Sequence, residues 1–356
     1  MSLLLLFFIP VIIGLAGFIW GDKKVTLKEF LTQEAVVVVV VLISWSVALG
    51  NKTHDVEIWN GKVADKTEEK SSCCHSYSCN PHSCMCDDDG CSTCYDTCYE
   101  HSSDVEWNAD SSNGENVFHD GCNAPGTTPP QRWVDIKIGD PTSVEHSYEN
   151  YLKASPDSIL LTRGSRQDFT IPEYPQVFDL YNITRFIPVG VSDPKFAKWD
   201  ILLDDLNADL GSKKQVNIIV IVVKESSLEW VESLKEKWIG GKKNDFIVVI
   251  GAPEYPKIQW VSVVSWSDSE DAKIAVRNRL LDLGVVDGEK IISIIHEEVA
   301  SKFVRKEMKD FEFLKANIQP SSEAQEFIFV FTIILQLVLT YCARKYDWYD
   351  EEEKRW

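Results

Sequence analysis

The sequence predicts an α/β protein. A small mixed-sheet head domain, ordered helix–strand–helix–strand–strand–helix–helix, is carried on three transmembrane helices, with a Cys-rich β and loop segment before it. Three observations carry this reading. The run Val216-Asn-Ile-Ile-Val-Ile-Val-Val223 is apolar and β-branched almost throughout, and further apolar runs follow at Phe246–Ile250 and Ile258–Val264. Long uncharged apolar stretches lie towards both ends of the chain. Eight of the ten cysteines fall between Cys73 and Cys98.

Ser2 to Trp20 carries no charge and is long enough to cross a bilayer as a helix. No Lys or Arg precedes Gly21, so a retained span is expected rather than a cleaved leader. A second span is expected from Phe30 to Leu49, with six consecutive valines at Val36–Val41 and Glu34 marking the interface. A third is expected over 322–343, centred on Phe327–Cys342 with Gln336 inside it. Lys23, Lys24 and Lys28 lie between the first two spans, and Arg344, Lys345, Lys354 and Arg355 follow the third. The positive-inside rule places both basic segments in the cytoplasm and the long middle of the chain outside it. The expected organisation is two spans with a short cytoplasmic loop (1–50), a Cys-rich extracytoplasmic segment (51–135), an extended linker or partner segment (136–191), the α/β domain (192–318), the third span (322–343) and a cytoplasmic acidic tail (344–356).

Val56–Val63 predicts a strand and turn. Two chemistries fit the cysteine segment that follows. Disulfides among Cys73, Cys74, Cys79, Cys84, Cys86, Cys91, Cys94, Cys98 and Cys122 would hold together a stretch too polar for a core of its own. Alternatively Cys91-x-x-Cys94, with Cys98 and His101 or an earlier Cys pair, forms a tetrahedral zinc site. An extracytoplasmic location favours the disulfides. Asp87-Asp-Asp89-Gly90 lacks the alternating ligands of a calcium loop and reads as a solvated turn.

Trp133–Ile138 alternates and predicts a strand, and His146-Ser147 sits in a turn leading to a short helix. Pro172, Pro175 and Pro188 predict extended linkers or edge strands. Ser192 is the expected cap of a helix carrying Phe196, Leu202, Leu203, Leu206 and Leu210 and ending at Gly211. The buried strand at Val216 follows. Ser226 and Glu229 form an expected capping box for a helix with an apolar stripe of Leu228, Val231, Leu234 and Trp238, stopped by Gly240-Gly241. That helix joins two parallel strands, and the short loop from Gly251 to Lys257 makes the third strand antiparallel. Ser267 and Glu270 form a second expected box, and a last helix starts at Asp287 and ends in the basic residues Lys302, Arg305, Lys306 and Lys309, read as a solvated face.

A formal net charge of -19 lacks the electrostatic footprint of a nucleic-acid binder. The stretch from Asp193 to Leu314, through Val216–Val223, Lys237-Trp-Ile-Gly240-Gly and Asn244-Asp-Phe-Ile-Val-Val-Ile250, resembles the TPM domain. That resemblance implies a small extracytoplasmic α/β domain on a membrane anchor; in plants the family is linked to photosystem repair and phosphatase activity. The wider layout resembles a group of membrane proteins of large tailed bacteriophages, on the N-terminal pair of spans, Trp59-Asn-Gly-Lys-Val63, Cys94-Tyr-Asp-Thr-Cys98-Tyr-Glu-His101, and Gly139-Asp-Pro-Thr142 through His146-Ser-Tyr-Glu-Asn-Tyr151 to Pro156-Asp157. It implies a membrane or virion structural protein in the inner membrane of an infected bacterium.

No nucleophile elbow or phosphate-binding Gly-rich loop is present, and His296-Glu-Glu-Val-Ala lacks the second His of a zincin helix. Extended to metal or phosphate chemistry, the TPM resemblance would use Asp245, Asp268 and Asp271. Carboxylates also stabilise helix N-termini with no further role. The expectation is therefore a non-enzymatic protein that binds protein partners or acts as a scaffold and needs no cofactor; a membrane-anchored metal-dependent phosphatase-like hydrolase is the alternative.

Overall fold

A computed structural model describes residues 3–20, 25–87, 90–114, 116–119, 128–156, 169–177, 183–346 and 348. Lys23, Lys24, Asp88, Asp89, Cys122, Asp157, Lys354 and Arg355, used in the sequence reading, lie outside the described residues.

The elements run α1 (Leu3–Trp20), α2 (Leu27–Thr53), β1 (His54–Ser72), β2 (Ser76–Asp87), β3 (Gly90–Tyr99), β4 (Ser103–Ser111), β5 (Asn116–His119), α3 (Gln131–Asp135), β6 (Pro141–Glu149), α4 (Tyr151–Ala154) and β7 (Phe186–Val189). Then come α5 (Phe196–Lys214), β8 (Asn217–Val223), α6 (Glu229–Lys237), β9 (Asp245–Gly251), β10 (Trp260–Val264), α7 (Glu270–Leu283), α8 (Gly288–Lys302), a 3-10 helix (Met308–Asn317) and α9 (Ser322–Lys345). They divide into two compact units: Met1–Asp55 with Tyr148–Ile159 and Glu307–Trp356, and Val56–Ser147 with Leu160–Lys306.

In the first unit α1, α2 and α9 pack together. Of the three expected spans, α2 and α9 are long and apolar enough to cross a bilayer; the apolar part of α1 is the shorter Leu6–Trp20. Thr26 and Glu29 form a reciprocal capping box, so α2 starts earlier than the expected Phe30. The bundle buries several polar side chains beside a small apolar cluster of Leu6, Val37, Val41 and Ile328, and it exposes many large apolar ones. Gln33 of α2 and Gln325, Thr332, Gln336 and Thr340 of α9 are buried. Val39, Leu42, Ile43, Phe327, Val330 and Leu337 face outward. A soluble bundle would put charged and polar residues on that outer face. Glu34, expected at the interface, accepts a hydrogen bond from Gln336 Nε2 at 3.2 Å, and Thr340 Oγ1 donates to Gln33 Oε1 at 3.2 Å. Gly14 and Gly17 let α1 approach: a Cβ on Gly14 would stand 2.0 Å from Glu34 Oε1, and one on Gly17 would stand 2.4 Å from Thr340 Cγ2.

The second unit holds a mixed sheet ordered β10-β9-β8-β7. β7, β8 and β9 are parallel, and β10 is antiparallel to β9. Both faces of β8 are covered, which is why it needs no polar alternation. Ile218, Val220 and Val222 meet α5, α7 and α8; Ile219, Ile221 and Val223 meet α6. Pro188 sits in the edge strand β7, where its missing N–H leaves no gap in the ladder. A second sheet has the order β5-β4-β1-β6, and β2 and β3 form a separate hairpin.

Several local expectations are corrected. Ser192, Ser226 and Ser267 cap no helix through their side chains: α5, α6 and α7 start after Lys195, Leu228 and Ser269 with no side-chain cap. Asp287 does cap α8, accepting from Lys290 N. Leu228 is exposed, and Trp230 takes the buried place expected of it. α5 runs past Gly211 to Lys214 and ends at Gln215 in the left-handed conformation; Gly211 instead admits β1, since a Cβ there would lie 2.2 Å from Asn60 O. Trp133–Ile138 is not a strand. Trp133 lies in the short helix α3, packs on Val105 and Trp107, and donates from Nε1 to Asn108 O. His146 and Ser147 lie in strand β6 rather than a turn. Arg305 and Lys306 pair with Glu57 and Asp268 rather than forming a solvated face.

Candidate functional site

Two titratable clusters stand out in the second unit. The first surrounds Glu57 of β1, which is wholly buried. Its carboxylate accepts from Arg305 Nε at 3.0 Å and Trp59 Nε1 at 3.0 Å, with Lys243 Nζ at 3.3 Å. Burial pushes this carboxyl up, but the Arg305 hydrogen bonds and the Lys243 and Arg305 charges outweigh it and hold it below the ordinary carboxylate value. His146 stacks on Trp59 with ring centroids 3.6 Å apart. Two contacts from Arg305, one from Trp59 and one from Lys243 occupy the roughly four acceptor sites of the carboxylate, so this cluster joins β1 to the segments bearing Lys243 and Arg305.

A polar seam continues from it. Asn244 gives Ile58 a strand-like pair of bonds, with Ile58 N donating to Oδ1 at 3.2 Å and Nδ2 donating to Ile58 O at 2.6 Å. Asn60 Nδ2 donates to Val216 O at 3.0 Å, and Arg185 binds Asn60 Oδ1 and Asp204 Oδ1 at 2.8 and 2.7 Å. Sequence reading missed these residues. An isolated Asn or Arg in a strand, as Asn60 is, or just before one, as Arg185 and Asn244 are, carries no periodic signal, and most of their partners are distant in the chain.

The second cluster lies at the base of the β2–β3 hairpin. β1 and β4 end their pairing at Ser72↔Ser103, and the hairpin begins at Ser76↔Tyr99. The register therefore sets residues 73–75 beside 100–102. Cys73, His75, His101 and Asp104 converge there, with one ligand atom of each within 4.8 Å of all the others. Cys73 and Asp104 are buried, and the two imidazoles are half-buried with centroids 5.3 Å apart. Asp104 accepts from Cys74 N at 3.0 Å and bonds to His101 Nε2. The His101 bond, then the Cys74 N–H and the two imidazoles, hold the Asp104 carboxyl below its ordinary value against burial. His75 Nδ1 is buried, makes no hydrogen bond, and points at Asp104 Oδ2 from 3.6 Å.

The cysteines expected as zinc ligands are otherwise engaged. Cys94 bonds to Cys84 and Cys98 to Cys79 in disulfides, and Cys91 and Cys74 are also disulfide-bonded. Of that expected set, only His101 belongs to the converging group. Cys73, expected in a disulfide, is a free thiol. The side chain of Cys86, like Cys122, lies outside what is described. The three aspartates are not brought together. Asp245 is wholly buried, accepting from Asn217 Nδ2 at 2.8 Å, Tyr174 OH at 3.0 Å and Lys242 N at 2.7 Å. Burial pushes its carboxyl up to about 6, opposed by those three bonds. Asp268 is exposed and pairs with Lys306, and Asp271 is exposed in the first turn of α7. Among the described residues, the Cys73 group is the one set of three or more such side chains that converges.

No family model, curated protein or solved structure matches this chain.

Proposed function

We propose that the chain is an integral membrane protein whose long middle segment lies outside the cytoplasm and serves as a non-enzymatic binding or scaffold domain. The observation that carries this reading is the bundle of α1, α2 and α9, which exposes large apolar side chains all along its outer face and buries polar ones. Polar side chains in a bilayer turn towards neighbouring helices, because lipid offers them no partner. All three helices are read as spans, with α1 the shortest. Disulfides in the middle segment support an oxidising side for it, and Lys28, Arg344 and Lys345 support a cytoplasmic side for the opposite ends.

The TPM-type and tailed-phage resemblances extend this reading to a phage-encoded protein of the bacterial inner membrane or virion. Recovery of the chain from purified particles by mass spectrometry tests that extension. The hydrolase alternative gains nothing from Asp245, Asp268 and Asp271, which do not converge. For topology, a reporter that is active only outside the cytoplasm is fused after Lys315 and, separately, after Trp356. The first fusion is expected to be active and the second silent; the reverse pattern overturns the orientation.

A further inference from the structure

We propose that Cys73, His75, His101 and Asp104 bind one Zn2+ ion, which clamps the base of the disulfide hairpin. The four are arranged as two short pairs, Cys73-x-His75 entering the hairpin and His101-x-x-Asp104 leaving it. Strand pairing on both sides, through Ser72↔Ser103 and Ser76↔Tyr99, brings the pairs together before any metal is considered. The site therefore does not depend on a flexible loop closing over an ion. It does not rest on the membrane orientation either.

The donor set selects the ion. One thiolate, two imidazoles and one carboxylate suit Zn2+, whereas Mg2+ and Ca2+ take oxygen ligands. Zn–N and Zn–O bonds of roughly 2.0–2.2 Å and a Zn–S bond of roughly 2.3 Å put tetrahedral ligand atoms roughly 3.3–3.8 Å apart. Here they lie within 4.8 Å of one another, so side-chain rotations of modest size close the shell. A thiolate and a carboxylate neutralise the dication, which matters where Cys73 and Asp104 are both buried. The Cys74 N–H to Asp104 Oδ2 bond orients the carboxylate as an outer-shell donor does in metal centres.

Two further observations point to a ligand. His75 Nδ1 is buried with no hydrogen bond, on the side of the ring that faces Asp104. Cys73 is free while its neighbour Cys74 and the hairpin residues Cys79, Cys84, Cys91, Cys94 and Cys98 are all oxidised. Apart from Cys342 of α9, the chain has an odd number of cysteines, so at least one of them has no partner among the others, and Cys73 is that one. The one left over sits among two imidazoles and a carboxylate, and metal ligation is what would keep it from oxidising or exchanging with the adjacent disulfides.

The test uses the full chain in detergent with Cys342→Ser, stripped with a chelator under non-reducing conditions and titrated with Co2+ and then Zn2+. One equivalent of Co2+ is expected to give the intense visible bands of a tetrahedral ion and a near-ultraviolet thiolate charge-transfer band. Zn2+ should displace both and protect Cys73 from alkylation. Cys73→Ser should abolish the charge-transfer band, and His75→Ala or His101→Ala should weaken binding by more than about 100-fold, beyond the loss typical of an outer-shell partner. Weak octahedral bands with no charge transfer, or a Cys73 found in a disulfide by peptide mapping, overturn the proposal. The spectrum and map of the Cys342→Ser parent decide the question even if a ligand variant fails to fold.

Discussion

Asp245 shows how one side chain can be misread as chemistry. It stands at the N-terminal entry of β9 and was a candidate for metal or phosphate chemistry, yet it is wholly buried and spends its oxygens on Asn217, Tyr174 and the Lys242 N–H. Burial raises its folded-state value from 3.8 to about 6, those three bonds opposing. Between these values the folded chain keeps a proton that the unfolded chain releases. Its contribution to stability is thus fully present below the window and is lost as pH rises through it. Asp245→Asn carries no such proton. The stability of wild type relative to this variant should fall as pH rises from about 4 to about 7, measured as the difference in denaturation midpoints of the two proteins. A difference that is flat, or that grows with pH, would refute the raised value. Glu57 titrates in the opposite sense, because two cations hold it low, and it cancels in the comparison.

At the level of elements, the head was legible because its signals are strong and repeated. The β-branched run of β8 is covered on both faces, and the order α5, β8, α6, β9, β10, α7, α8 follows the predicted one. Weak local signals failed. The Ser226 and Ser267 boxes did not form, because each helix begins two residues later than the serine could cap. The alternation of Trp133–Ile138 was overridden by the burial of the Trp133 ring against Val105 and Trp107. The converging group was hidden for a related reason. Cys91-x-x-Cys94 is conspicuous in the sequence, whereas Cys73-x-His75 and His101-x-x-Asp104 become neighbours only through strand register. The odd cysteine count and the His at each end of the hairpin were the signals available. In the bundle, the close approach of α1 rests on Gly14 and Gly17, which had no assigned role. Gly17→Ala should cost about 1–3 kcal/mol by overpacking against Thr340 Cγ2. Adding Thr340→Ser, which removes that methyl and keeps the hydroxyl bonded to Gln33, should recover much of the loss. Thermal midpoints in detergent micelles would check both; failure of the second change to help would mean that α1 does not seat there.

For the whole molecule, the chain uses three different means of holding itself together, and they should be separable. Residues 183–306 contain no cysteine and are held by apolar burial on both faces of one sheet. The β2–β3 hairpin is the converse case. The described side chains along it are mostly exposed, and the bridges Cys79–Cys98 and Cys84–Cys94 take the place of a core. Each closes a loop, with sequence separations of 19 and 10, and closing a loop of this size contributes about 3 kcal/mol in the chain-entropy model. That is a large share of the roughly 5–15 kcal/mol of a typical domain, so the hairpin should not survive reduction. Its base is held differently, by the pairing of β1 with β4 and, on the proposal above, by Zn2+. Limited proteolysis of the zinc-loaded chain with a non-chelating reductant should therefore cut between Ser76 and Tyr99 while sparing the base. Reductant with chelator should extend the cuts towards Cys73 and Asp104. In both cases the cooperative unfolding of the head, followed by the fluorescence of the buried Trp199, Trp230 and Trp238, should persist. If reductant alone abolished that transition, the hairpin would be an integral part of the head's stability, and the separation of these holding forces would be wrong.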